Sequence, residues 1–418
     1  MAQQIRHAPA TAAEVQSIVA DAAARQRGLE VRGGGSKRPL RPPVAADALL
    51  DMSALSGITD YDPDELVVTA RSGTPLVEIE AALAERRQML AFEPFDHGPM
   101  FGAEAGRATL GGIVAANVSG SRRVSMGAAR DHILGFTAVS GRAETLKGGG
   151  AVVKNVTGFD LPKLMAGSWG TLAVLLSLTM RVLPRPRSET TILFKELPDE
   201  AANHLMSAAM ALPAAVSAAA HVPLPRAVTA LRLEGFAPSV EARSRELMRA
   251  LEPMGSGTAI EADESRAFWH GVRSLDALPR DGHVLWRISV PPARGWRVQT
   301  LLDWAGARYV YDWAGGLVWA AVPEDAAPVP TKHIHAGHVH AEHVRAERVR
   351  AAARSLGGHA ALIRAPAAMR EALNQADRAA LLGAADAHSG LRALHARLKA
   401  AFDPCGILNP GLDLAAEL

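Results

Sequence analysis

Ala108-Thr109-Leu110-Gly111-Gly112-Ile113-Val114-Ala115-Ala116-Asn117-Val118-Ser119-Gly120 is a run of small residues interrupted by few side chains of any bulk. Backbone of this kind can press against a flat ring. Glycine stays frequent from Gly98 to Gly150, and such density costs backbone entropy. A compact domain tolerates it where the chain needs positive φ or must approach a ligand closely. The plain alternative for each glycine is an ordinary turn.

Upstream, the apolar run Leu29 to Val31 enters Gly33-Gly34-Gly35-Ser36, followed by Lys37. Four small residues in a row can form a concave nest of N–H groups, with an ammonium alongside to hold a diphosphate. Pro39, Pro42 and Pro43 come next, so no helix follows. A Rossmann fingerprint and a Walker A loop both need a helix immediately after the glycines, which argues against either. A loop-type pyrophosphate site or a flexible surface turn remains.

Around these loops the pattern predicts regular elements. Thr11 and Glu14 make a capping box before Val15, Ile18, Val19 and Ala22, which share one face of a helix over 11–27. Leu66 to Ala70 reads as a strand, and a helix from Thr74-Pro75 to about Arg87 takes Thr74 as its N-cap. Composition changes after Pro184-Arg185-Pro186, where a domain boundary is placed near 187. Beyond it, strands at 191–194, 229–233, 284–290 and 317–322 alternate with helices near 199–211, 239–251 and 296–305, an α+β plate of ferredoxin-like kind. Residues 344–418 give a helix, a strand around 360–363, a helix over about 390–402 and a proline-glycine-rich end. No repeat is evident.

Bulk composition limits the function. The 418 residues suit two or three domains, and 48% hydrophobic with 21% charged residues describes a globular chain with a sizeable core. Forty-three acids against 45 bases, a net charge of +2, leave no polybasic footprint for nucleic acid. No apolar run approaches the 18 or so residues of a membrane span, and the N-terminus carries no secretory pattern, so a cytoplasmic protein is expected. The one cysteine, Cys405, rules out an intrachain disulfide or a thiolate cluster, so redox chemistry must come from a bound organic cofactor.

Five motifs then stand in order: Gly33 to Ser36; Thr109-Leu110-Gly111-Gly112; Arg130-Asp131-His132-Ile133-Leu134-Gly135; Lys154-Asn155-Val156-Thr157-Gly158-Phe159-Asp160-Leu161; and Gly167-Ser168-Trp169-Gly170-Thr171-Leu172-Ala173-Val174. This order resembles the FAD-binding domain of the vanillyl-alcohol oxidase and p-cresol methylhydroxylase (PCMH) superfamily. Within it, Arg122-Arg123, Phe268-Trp269, Gly357-Gly358-His359-Ala360 and the tail Phe402 to Gly411 are most similar to the FAD-binding subunits of bacterial glycolate oxidase. The resemblance covers nearly the whole chain. It implies an α+β fold: a two-subdomain PCMH-type FAD-binding domain over 1–187, a cap over 188–330, a His-rich loop over 331–343, and a segment over 344–418 that returns to the flavin.

The same resemblance implies that Gly33, Gly34, Gly35, Ser36 and Lys37 hold the pyrophosphate of FAD. It places Thr109, Gly111, Gly112, Ser119 and Gly120 along the dinucleotide, Gly170, Thr171, Leu172 and Val174 nearby, and Asn409 at the flavin edge. Several relatives bond the flavin covalently through a histidine where this chain has Gly35, so FAD is expected to be non-covalent. Phe159 replaces a tyrosine common in relatives. Arg130 and Asp131 read as a structural pair, and no residue is assigned a catalytic role.

Stand-alone 2-hydroxyacid dehydrogenases of the superfamily carry two histidine motifs, HxGDGNxH and GEHG, which this chain lacks. The stretch from His333 and His335 through His338 and His340 to His343 could catch a divalent metal on an extended chain. A solvated loop is the preferred reading, and no metal is assigned. The resemblance therefore implies partners: a second FAD-containing catalytic subunit and an iron-sulfur subunit, acting on a small 2-hydroxyacid, with any membrane contact made through the complex. A self-sufficient flavoenzyme and a scaffold that binds FAD only to hold its fold are the alternatives.

Overall fold

The computed structural model describes residues 5–41, 44–150, 159–302, 304, 306–324, 338–366, 369–370 and 389–412. These divide into two compact units. The first holds the described residues up to Gly120, those from Gly127 to Arg185, and the segment 389–412; the second holds Ser121–Met126 and the described residues from Pro186 to Arg370. The class is α+β, as expected.

The first unit begins with β1 (Ile5–His7), α1 (Ala12–Ala24), β2 (Leu29–Arg32) and β3 (Ala48–Asp51), the strands pairing in parallel in the order β1-β3-β2. Thr11 caps α1 by accepting the Glu14 amide, and Glu14 Oε2 accepts the Ala10 amide in return. Val15, Val19 and Ala22 of that helix are buried beside Leu29 and Leu50. Each fully buried aliphatic side chain contributes about 1.5–3 kcal/mol.

An antiparallel sheet follows, made of β4 (Ile58–Asp62), β5 (Val67–Arg71), β7 (Ile133–Ser140), β8 (Thr145–Gly149) and β9 (Ala173–Arg181) in the order β4-β5-β9-β7-β8. A short ribbon pairs β6 (Gln88–Met89) with β10 (Leu183–Pro184). The helices here are α2 (Leu76–Glu85), α3 (Leu110–Ala115) and α5 (Leu161–Met165). Pro75, not Thr74, stands at the N-cap of α2. The Thr74 hydroxyl is engaged instead by the Gly57 amide at 2.9 Å and the Arg71 carbonyl at 2.7 Å. Residues 154–158 of the fourth motif lie outside the described residues.

The second unit contains a repeat that is not evident in its residue pattern. Its first module runs β11 (Ser188–Lys195), α6 (Asp199–Ala211), β12 (Ala218–Val222), β13 (Val228–Gly235), α7 (Ala237–Leu251) and β14 (Gly257–Glu261), ordered β14-β11-β13-β12. Its second runs β15 (His283–Ser289), α9 (Arg297–Leu302), β16 (Arg308–Asp312), β17 (Leu317–Pro323), α10 (His338–Ser355) and β18 (His359–Arg364), ordered β16-β17-β15-β18. Each is a βαββαβ ferredoxin-like module. They join at β12 and β16, His221 opposite Tyr311, into one eight-stranded antiparallel sheet. The unit also holds the one-turn α4 (Arg123–Met126) and the 13-residue α8 (Ala262–Ser274).

Strand periodicity sorts the faces of this sheet. Ile192 and Phe194, Leu231 and Leu233, and Val284, Trp286 and Ile288 share a core with residues of α6, α7, α9 and α10. Glu189, Thr191, Arg232 and Glu234 alternate with those residues and point the other way. Asn203, fully buried on α6, donates to the Pro292 carbonyl and accepts the Trp296 amide, which ties the first module to the second. Helix α10 starts at His338, so His338, His340 and His343 are helical where a loop was expected. His333 and His335 lie outside the described residues.

Candidate functional site: a glycine-walled cavity in the first unit

Strand β2 delivers the chain to Gly33, and Gly35 turns it with φ at +78°. Gly34 lies against the segment before α3 so closely that a β-carbon there would stand 1.6 Å from the Arg107 carbonyl oxygen. Thr109 caps α3, its hydroxyl facing the Gly112 amide at 3.4 Å. Hydrogen bonds from Leu110 N to Thr74 O and from Gly111 N to Ser72 O stitch this turn to the end of β5. Two glycine stretches some 70 positions apart in sequence thus face each other.

Between them lies a cleft, open on one side to solvent. Of the residues predicted for the site, Gly33, Gly34, Gly35, Ser36, Lys37, Thr109, Gly111, Gly112, Gly170 and Asn409 line it. Ser119, Gly120, Thr171, Leu172 and Val174 do not. Ser119 Oγ accepts the Ala129 amide, the Gly120 amide donates to the Phe92 carbonyl, and Thr171 Oγ1 donates to the Ser168 carbonyl. Leu172 and Val174 are core residues on either side of the strand start.

Sequence reasoning missed further wall residues, among them Glu30, Ser72, Ala115 and Trp169. Trp169 was in plain view beside Gly170, but its role depends on Arg41, whose guanidinium lies 4.2 Å from the centre of the indole. Ser72 carried one usable signal, its place directly after β5 at the same turn that receives Gly111.

Charge in the cavity wall is uneven. Glu30 is buried and held by Arg32 at 2.8 Å and Arg38 at 2.6 Å. Lys37 is only 7% exposed, and among the described residues its ammonium has one hydrogen bond, to Ser36 Oγ at 3.3 Å, with no carboxylate at ion-pair distance. Burial pulls its pKa from 10.5 down to about 8, against a weaker upward pull from Asp96. Ser72 Oγ is buried without any partner. A buried cation and an orphaned hydroxyl on a wall of bare backbone suit an anionic, flat-ringed ligand. A dinucleotide such as FAD has that chemistry.

The C-terminal segment closes one side. Asn409 accepts the Val31 amide and donates to the Trp169 carbonyl, each at 2.7 Å, while its own amide donates to Leu29. Behind it Lys399 donates to Asp403, to the Thr171 carbonyl and to the Leu408 carbonyl. Elsewhere, Asp131 accepts the Ala128 amide and so serves its own turn, and Phe159 is 94% exposed. No cluster of metal-ligating side chains occurs among the described residues.

Comparison with known proteins agrees with this geometry. Residues 4–149 match the family model described as FAD binding domain. The chain is 36% identical over 388 residues to the glycolate oxidase subunit GlcE of Escherichia coli, covering 92% of this chain and 91% of that one. It is 34% identical over 150 residues to a D-lactate dehydrogenase of Anaerostipes hadrus, covering 36% of this chain and 30% of the other. Its fold is similar to that of alkyldihydroxyacetonephosphate synthase, with a TM-score of 0.67 over 98% of this chain and 77% of that chain at 15% identity.

Proposed function

Because the chain belongs to the family of the glycolate oxidase subunit GlcE, FAD-binding oxidoreductases, we propose that it is the FAD-binding subunit of a multisubunit enzyme that oxidises glycolate or a related small 2-hydroxyacid. The observation that carries this reading is the cavity between the Gly33–Lys37 loop and the Thr109–Gly112 turn, with the buried Lys37 ammonium and the unpartnered Ser72 hydroxyl in its wall. When bound, FAD supplies the two-electron redox chemistry. The chain's own residues bind and orient. Main-chain amides of the loop and the Lys37 ammonium would hold the diphosphate, Ser72 Oγ would be free to bond the ligand, and Asn409 keeps the Trp169–Gly170 turn against β2.

Gly35 offers no side chain for a covalent link, so the flavin is held non-covalently. Acid precipitation of the yellow protein is expected to release the colour into the supernatant; colour kept in the pellet would contradict this. Two partners are proposed, a second FAD-containing subunit that carries the substrate histidines and an iron-sulfur subunit. The missing HxGDGNxH and GEHG motifs and the single cysteine support them. No described helix is long and apolar enough to cross a membrane. A cytoplasmic complex, touching the membrane only through its partners, is the proposed setting.

The test is isolation of the native complex with a count of its flavin and iron. Copurification of a second flavoprotein and an iron-sulfur protein is expected. Oxidation of glycolate or D-lactate by the chain alone, at the 1 to 1000 per second or so typical of enzymes, would refute the need for partners.

A further inference from the structure

We propose that Lys37 makes cofactor loading proton-linked: at alkaline pH the chain takes up one proton at Lys37 Nζ as the FAD diphosphate enters the cavity. This deepens the reading above and rests on it. Lys37 sits in the cavity wall, its ammonium near α3, where a β-carbon at Gly112 would lie 3.8 Å from Nζ. The amides of that turn are spent on Thr74, Ser72 and Thr109, and Nζ makes no hydrogen bond to it.

The charged groups around it are otherwise engaged. Asp96 accepts the amides of Gly98, Arg107 and Ala108. Glu30 is shared between Arg32 and Arg38, and Arg41 lies over Trp169. With no carboxylate at hand, burial favours the neutral amine, and the pKa of about 8 expresses that preference. A diphosphate supplies the absent negative charge and restores the ammonium. The diphosphate is already fully ionised at these pH values, so the proton comes from solvent and ends on Nζ, and no electrons move.

Linkage fixes the size of the effect. With a free-state pKa of about 8 and a much higher bound-state value, about half a proton is taken up per FAD at pH 8, and affinity is about tenfold weaker at pH 9 than at pH 7. The experiment is calorimetric titration of the full-length, flavin-stripped chain with FAD from pH 7 to 9, in two buffers of different ionisation heat. Lys37→Met is expected to abolish the buffer-dependent heat and to bind FAD at pH 7 no better than the unaltered chain does at pH 9. Lys37→Arg keeps its charge and is expected to flatten the profile. Should a variant fail to fold, the buffer dependence of the unaltered chain still decides. FAD binding with no proton uptake and a flat profile overturns the proposal and leaves the FAD site standing; failure of the unaltered chain to bind FAD overturns that reading as well.

Discussion

At the residue scale, Lys37 sets stability against function. Its folded pKa of about 8 lies below the 10.5 of an exposed lysine, so between those values the unfolded chain binds more protons than the flavin-free folded one. Stability therefore rises with pH across that window, and the shortfall below pH 8 is about 3 kcal/mol. Lys37→Met is expected to raise the melting midpoint of the flavin-free chain at pH 7, with the gap narrowing as pH approaches 10. Melts at both pH values, with no gap at pH 7, would show that the ammonium is not strained. The residues of this loop were legible in sequence as a nest of amides beside a cation. The reason for Gly34 was not, because the carbonyl it must avoid belongs to Arg107, far along the chain.

At the scale of elements, legibility followed apolar alternation. Strands β11, β13, β15 and β17 could be read because branched and aromatic residues recur at every second position. Strand β12 could not: Ala218-Ala219-Ala220 has little strand preference of its own and is extended because β13 and β16 pair with it on both sides. The polar positions on β13 were equally opaque. Glu234 is buried, which pushes its carboxyl up, but the bond from Arg122 and the charges of Arg232 and Arg122, with a further bond from Ser217, hold it below the ordinary value. That stabilisation is present above about pH 4.5 and is lost as pH falls through the lower folded value. Arg122→Ala would remove the guanidinium hydrogen bonds and leave the carboxylate only Arg232, at 3.7 Å, and Ser217; it is expected to cost about 1.5–3 kcal/mol and to weaken this acid-side dependence. Urea unfolding at pH 7 and pH 4 measures both. A loss below about 1 kcal/mol would mean that Arg232 alone satisfies Glu234.

At the scale of the whole molecule, two features escaped a reading that moves along the chain. The tandem modules share an order of elements and a fold but no residue pattern dense enough to notice. The tail, by contrast, was expected near the cofactor only through resemblance, and the structure supplies the mechanical reason. Leu408 bridges to Leu29, Asp403 takes the amides of Ile407 and Leu408, and Asn409, with φ at +46°, bonds both β2 and the Trp169 turn. One wall of the cavity thus waits for Asn409, 378 positions after the Val31 that it bonds, and the second unit's described residues lie between them in sequence. Such closure costs entropy that only the finished contacts offset. A fragment ending at residue 187 is therefore expected to take up no FAD, however much secondary structure it keeps. Within the full chain, Asn409→Ala strands the Val31 amide and the Trp169 carbonyl and puts alanine where a left-handed backbone favours asparagine, a loss of about 1–3 kcal/mol. If half of that loss reaches the cofactor, FAD binding weakens by about twofold to twelvefold. Flavin fluorescence titration against the unaltered chain reads this directly, and equal affinity would mean that the tail supports the fold without shaping the site.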